Sequence, residues 1–157
     1  MVLRQTPLDL NGPVLGFTTH PVSATVSIAN STQFSGFATA TFPTQDPANP
    51  ATNTGTISYR WYNSVYGELS DGTLEGATIS GAGTTILTIE NATSQNLNQT
   101  GFYLTADYVP SAYAQPVGSA VTVGTARSTA NAVNDPLSSN SAILTTRPVI
   151  TIIQQPE

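Results

Sequence analysis

A chain of 157 residues is long enough for one domain of about 100–150 residues with a buried core. Its formal charge is −5 and its only cations are Arg4, Arg60, Arg127 and Arg147, so the clustered basic side chains that hold nucleic acid or an anionic membrane are missing. Cysteine is absent, which excludes disulfides, thiol nucleophiles and thiolate metal sites, and no run approaches the roughly 18 apolar residues of a membrane-spanning helix.

The chain opens with a polar stretch, residues 1–13, which carries Pro7 and ends on the turn signal Asn11-Gly12-Pro13. It reads as an irregular leader. Met1-Val2-Leu3-Arg4-Gln5-Thr6-Pro7 has no apolar core of the kind a signal peptide needs. Residues 14–19 are expected to form a first strand, broken at His20-Pro21 because proline cannot donate to a ladder. Residues 22–28 alternate and resume beyond the break. Residues 30–36 read as a turn. Ala38, Ala40 and Phe42 then face one way, with Thr39 and Thr41 opposite, and residues 43–55 form a long polar loop.

In residues 56–62, Ile57, Tyr59 and Trp61 alternate with Ser58, Arg60 and Tyr62, the period-two pattern of a strand with one buried face. Trp61 is the one tryptophan and lies on the apolar side. Ser70-Asp71-Gly72-Thr73 is a turn signal, residues 77–80 a short strand, and Gly81-Ala82-Gly83 leads into a strand over Leu87-Thr88-Ile89-Glu90-Asn91. Residues 94–97 suit one helical turn. In the next strand, alternation from Phe102 places Leu104, Ala106 and Tyr108 inward and Asp107 outward. Burying Asp107 unpaired would cost several kcal/mol, whereas burying Leu104 gains roughly 2 kcal/mol. Residues 111–140 are too long for a bare loop and are expected to carry a hairpin or an extra strand over 117–123. Residues 141–146 form the last strand.

Pro148-Val149-Ile150-Thr151-Ile152-Ile153-Gln154-Gln155-Pro156 then matches Pro13-Val14-Leu15-Gly16-Phe17-Thr18-Thr19-His20-Pro21 in both prolines, the valine and the spacing, at an offset of 135 residues. Residues 148–157 therefore read as a short linker and the start of a second repeat of the same kind.

Little here can do chemistry. His20 is the one histidine and stands at a strand break, where a surface position is expected. A carboxylate-only calcium site could draw on Asp46, Asp71 or Asp107 with Asp135, but no D-x-D-x-D-G spacing supports it. Three Asn-x-Thr sequons, at Asn30, Asn91 and Asn98, are what so Asn- and Thr-rich a chain produces by composition. Tyrosine is a common contact anchor because it offers area at low entropy cost. Of Tyr62, Tyr66, Tyr108 and Tyr113, we expect Tyr62 and Tyr108 to pack against the sheet or the insertion. The binding candidates are Tyr113, Tyr66 and Asp135. No catalytic residue, cofactor or metal is expected.

Trp61, Leu87-Thr88-Ile89-Glu90-Asn91 and Gly101-Phe102-Tyr103, in that order, resemble the C, E and F strands of a cysteine-free immunoglobulin-like domain of the intermediate set. The broken first strand is similar to that family's A and A′ pair. The resemblance implies an all-β, two-sheet antiparallel sandwich over residues 14–147, with a long insertion, 111–140, between strands F and G. The family's own G-x-Y-x-C spacing would turn Tyr103 and Thr105 inward, against the register argued above. The leader Thr6-Pro7-Leu8-Asp9-Leu10-Asn11-Gly12-Pro13 followed by such repeats also resembles virion structural proteins of marine tailed phages, the cyanophage type in particular. That resemblance implies a non-enzymatic virion module. Its partners would be other virion proteins or neighbouring immunoglobulin-like repeats, with host-surface carbohydrate as a further contact, and neither nucleic acid nor membrane. A bacterial surface adhesin repeat and an accessory carbohydrate-binding module of a larger enzyme are the alternative readings.

Overall fold

The computed structural model describes residues 13–41, 55–92, 95–110 and 136–154. The expectations for Phe42, most of the 43–55 loop, the 117–123 strand, Tyr113 and Asp135 lie outside the described residues. Within them run β1 (Val14–Thr19), β2 (Ala24–Ser27), β3 (Thr32–Ser35), β4 (Phe37–Thr41), β5 (Gly55–Asn63) and β6 (Gly67–Glu68). These are followed by β7 (Gly72–Leu74), β8 (Ala77–Ser80), β9 (Ile86–Glu90), a single 3-10 turn (Gln95–Leu97), β10 (Thr100–Pro110), β11 (Leu137–Ser138) and β12 (Ala142–Arg147). The chain divides into a larger unit (residues 18–37, 59–105 and 138–157) and a smaller one (1–17, 38–58 and 106–137).

The larger unit contains a two-sheet sandwich. One sheet has the order β3-β9-β8-β7, and the other has β2-β12-β10-β5-β6, with β11 paired to β10. In family letters β3-β9-β8 are B-E-D, with β7 added at the edge, and the second sheet is A′-G-F-C-C′, the immunoglobulin-like arrangement. β2 runs parallel to β12, with Ala24 opposite Leu144 and Val26 opposite Thr146, so the proline-broken first strand reaches the second sheet. Phe34, Trp61, Ile79, Leu87, Ile89, Leu97, Phe102, Leu104 and Leu144 are fully buried. Trp61 is also anchored by hydrogen bonds: its backbone N–H donates to the Ala82 carbonyl at 2.9 Å and its indole Nε1–H to the Thr84 carbonyl at 2.8 Å. A buried indole needs such a partner.

Two sequence-based expectations are corrected. Residues 30–36 are not a turn: Thr32–Ser35 is a strand pairing with β9, Phe34 opposite Leu87, and Phe34 is only 1% exposed. The reversal lies earlier, where Ala29 takes a φ of 70°. Burial of Phe34 and the ladder to β9 outweigh the turn-like composition of Asn30-Ser31-Thr32. The 70–73 turn is likewise displaced. Gly72 and Thr73 belong to β7, and the chain reverses at Glu75-Gly76, with φ of 49° and 82° between the paired residues Leu74 and Ala77. Two positive φ values across a two-residue loop make a type I′ turn, whose twist matches that of the flanking strands.

The register argued for β10 is the one observed. In the larger unit Phe102 and Leu104 are fully buried while Tyr103 and Thr105 are half-exposed. In the smaller unit Ala106 and Tyr108 are buried and Asp107 is half-exposed. The smaller unit also holds most of the β1–β4 ladder and buries Pro13, Leu15 and Ala38. A Cβ at Gly55 would lie 2.2 Å from the Tyr108 ring, so a larger residue at this strand start requires that ring to shift.

After β12 no strand is assigned over residues 148–154. Val149, Ile150, Ile152 and Ile153 are 65%, 85%, 83% and 89% exposed.

Candidate functional site

Tyr66 is held by a buried amide. Asn63 ends β5 at 1% exposure, and its Oδ1 accepts the backbone N–H groups of Val65 (2.8 Å) and Tyr66 (3.2 Å). Its Nδ2 donates to Thr100 Oγ1 at 2.9 Å, and that hydroxyl donates onward to the Leu97 carbonyl at 2.8 Å. An Asn that captures two successive N–H groups fixes a turn as a backbone carbonyl would. The Tyr66 hydroxyl is raised above its ordinary range by loss of solvent, then by the charge of Glu75 and a hydrogen bond to it. Glu75 also accepts from Asn96 Nδ2 at 2.6 Å.

Tyr66 borders a shallow groove of about 230 Å³, lined also by Glu68, Leu69, Asp71 and Leu74. Its carboxylates are already engaged. Asp71 accepts the Ala82 backbone N–H at 2.8 Å, and Glu68 pairs with Arg60. Among the described residues no group of three or more His, Cys, Asp or Glu could hold a metal ion, and no buried side-chain polar atom lacks a partner. His20 is exposed, and its Nδ1 accepts the Asn140 backbone N–H at 3.0 Å.

The outer face of the larger unit's second sheet carries a cluster that alternation alone did not identify. Tyr62 of β5 and Tyr103 of β10 stack with ring centroids 5.4 Å apart and planes 12° apart. Glu68 of β6 receives the Tyr62 hydroxyl at 3.3 Å as well as the Arg60 guanidinium. Partial burial, then the Glu68 carboxylate, push the Tyr62 hydroxyl upward against the lowering effect of Arg60. Thr105 Oγ1 donates to the Arg60 carbonyl at 3.2 Å. Alternation turns Tyr62 and Tyr103 outward, but only the β5–β10 pairing brings them together. Each acid in this cluster and groove already accepts a hydrogen bond, and none is enclosed. Such a surface can make contacts; it offers no activated nucleophile or poised acid.

Tyr66 is thus the one sequence-derived binding candidate placed by the structure, beside Glu75 and the groove. Tyr113 and Asp135 lie outside the described residues. No helix among the described residues is long and apolar enough to cross a membrane.

No protein-family model and no curated protein matches the chain. Solved structures do. The titin Z1Z2 domains, solved in complex with telethonin, align over 88% of this chain and 50% of theirs, with a TM-score of 0.50 and 18% identity. Immunoglobulin domains 1–5 of Sidekick-1 align over 88% of this chain and 21% of theirs, at a TM-score of 0.48 and 12% identity. The Ig1-2 module of the Drosophila receptor protein tyrosine phosphatase DLAR aligns over 87% and 50%, at 0.45 and 19%. The chain spans about half the length of this titin Z1Z2 chain and of this DLAR module. The titin likeness agrees with the strand order in assigning an immunoglobulin-like sandwich. At that identity it speaks for fold alone.

Proposed function

We propose that the chain is a non-enzymatic contact and spacer module of a tailed-phage virion. The observation that carries the contact role is where side chains are left over. The acids of the described groove and tyrosine cluster are tied to structural partners, whereas Val149, Ile150, Ile152 and Ile153 stand 65–89% exposed on a segment with no assigned strand. An exposed apolar run of that kind is a surface for association. The virion setting is supported by the resemblance of the leader and of the cysteine-free repeat to phage structural proteins. Its partners are then other virion proteins or neighbouring immunoglobulin-like repeats, with host-surface carbohydrate as a weaker contact. The particle contact is assigned to the leader, residues 1–13, and to part of the 111–140 segment, which holds Tyr113 and Asp135.

The test is made on purified particles. Mass spectrometry should find the chain in the virion, and deleting residues 111–135, which spares β11 and the Ser139–Leu104 hydrogen bonds, should leave a folded module while lowering its occupancy or host adsorption. Full occupancy with normal adsorption in the deletion particles would remove this reading.

A further inference from the structure

The matching segments 13–21 and 148–156 differ sharply in burial over the residues described in both. In β1, Leu15 is 2% exposed, Val14 is 44% exposed and Phe17 is half-buried. The aligned residues in the arm are Ile150, Val149 and Ile152, and all three are exposed, Ile150 at 85%. The same pattern is therefore satisfied once in this chain and left unsatisfied once. β12 ends at Arg147 and Pro148 follows directly, so no flexible linker separates the last strand of the sandwich from the arm. A five-residue run, Val149-Ile150-Thr151-Ile152-Ile153, made wholly of β-branched residues has a strong preference for a pleated, half-buried surface.

We infer that residues 149–154 are the first strand of a second immunoglobulin-like unit that follows in the same polypeptide. They occupy there the place that β1 takes here, against the strand equivalent to β4, with Ile150 sinking where Leu15 sinks and Val149 staying at the rim. This deepens the reading of the chain as a contact module by naming its partner, and it stands whether or not the module belongs to a virion.

The experiment is to express the gene through to its own stop codon and to compare amide exchange and size with residues 1–157. In residues 1–157, the amides of 149–153 should exchange unprotected. In the full-length product those of Ile150 and Ile152 should slow by at least about a hundredfold, the protection of a strand within a stable unit. Ile150→Asp should abolish that protection and Val149→Asp should spare it. A stop codon directly after Glu157, or a longer product in which 149–153 stay unprotected, would overturn the inference. Concentration-dependent dimerisation of residues 1–157 that is lost in Ile150→Asp would assign the arm to a second copy and overturn it too. None of these readouts depends on particle incorporation, so the virion reading and this one can fail separately.

Discussion

Phe34 of β3 and Phe102 of β10 stack across the sandwich of the larger unit, ring centroids 5.1 Å apart and planes 17° apart. Both are fully buried, and each lies on a different sheet. With no cysteine in the chain, the sheets are joined by this packed pair and by Trp61, which adds hydrogen bonds to the Ala82 and Thr84 carbonyls.

Truncating either ring should therefore be costly. Phe34→Ala and Phe102→Ala are each expected to destabilise by about 3–5 kcal/mol, because a rigid two-sheet core cannot collapse onto the cavity. A double-mutant cycle should give a coupling of about 0.5–1.5 kcal/mol between the rings. Urea denaturation measures both, and additive losses would show that the stack contributes nothing beyond burial.

Trp61 combines burial with its bond to the Thr84 carbonyl. Trp61→Phe should lose about 1–3 kcal/mol from that orphaned acceptor and the reduced volume. Trp61→Ala should lose more, about 3–5 kcal/mol. Thermal melting by circular dichroism reads both variants, and an unchanged melting temperature in Trp61→Ala would contradict its place in the core.

Asn63 should behave as a structural rather than a binding residue. Asn63→Ala strips partners from the N–H groups of Val65 and Tyr66 and from the buried Thr100 hydroxyl. A loss of about 2–3 kcal/mol is expected. Amide exchange at Val65 and Tyr66 should rise before exchange within β5. Retained protection at both amides would show that the turn does not depend on this side chain.

Two substitutions at positive φ should have opposite signs. A Cβ at Gly81, whose φ is 80°, would lie 2.2 Å from the Ile86 carbonyl oxygen, so Gly81→Ala requires the backbone to move and should destabilise by about 2 kcal/mol or more. Ala29 pays the left-handed penalty at φ 70° without a side-chain hydrogen bond to offset it, so Ala29→Gly should stabilise by up to about 1 kcal/mol. Denaturation midpoints of the two variants decide the matter.

Stability should decline at alkaline pH. Loss of solvent raises the hydroxyls of Tyr62, Tyr66 and Tyr108 above the ordinary tyrosine value of 10.0 in the folded chain, with Glu68 and Glu75 adding to the effect at the first two. A folded value above the unfolded one favours the protonated form. The contribution is complete below about pH 10 and is lost as pH rises from there through the folded values. Urea midpoints should fall as pH rises above about 10, less steeply in Tyr108→Phe, while phenolate absorbance shows the late titration. A midpoint that rises over this range would contradict the assignment.

Sequence by itself determined the strands whose two faces differ in kind. Ile57, Tyr59 and Trp61 against Ser58, Arg60 and Tyr62, and Leu104 against Asp107, leave one sensible register, because the cost of burying the wrong face is local and large. It also exposed the match between residues 13–21 and 148–156, a repetition that can be read without coordinates. Tertiary structure alone decided the rest. Asn30-Ser31-Thr32 has a turn's composition, and only the ladder to β9 and the cover of Phe102 make Thr32–Ser35 a strand. The Glu75-Gly76 reversal depends on β7 finding β8, and the Tyr62–Tyr103 stack on β5 finding β10. Alternation fixes which way a side chain points; which strand lies beside it is a long-range choice, set by the burial that closing the whole sandwich achieves.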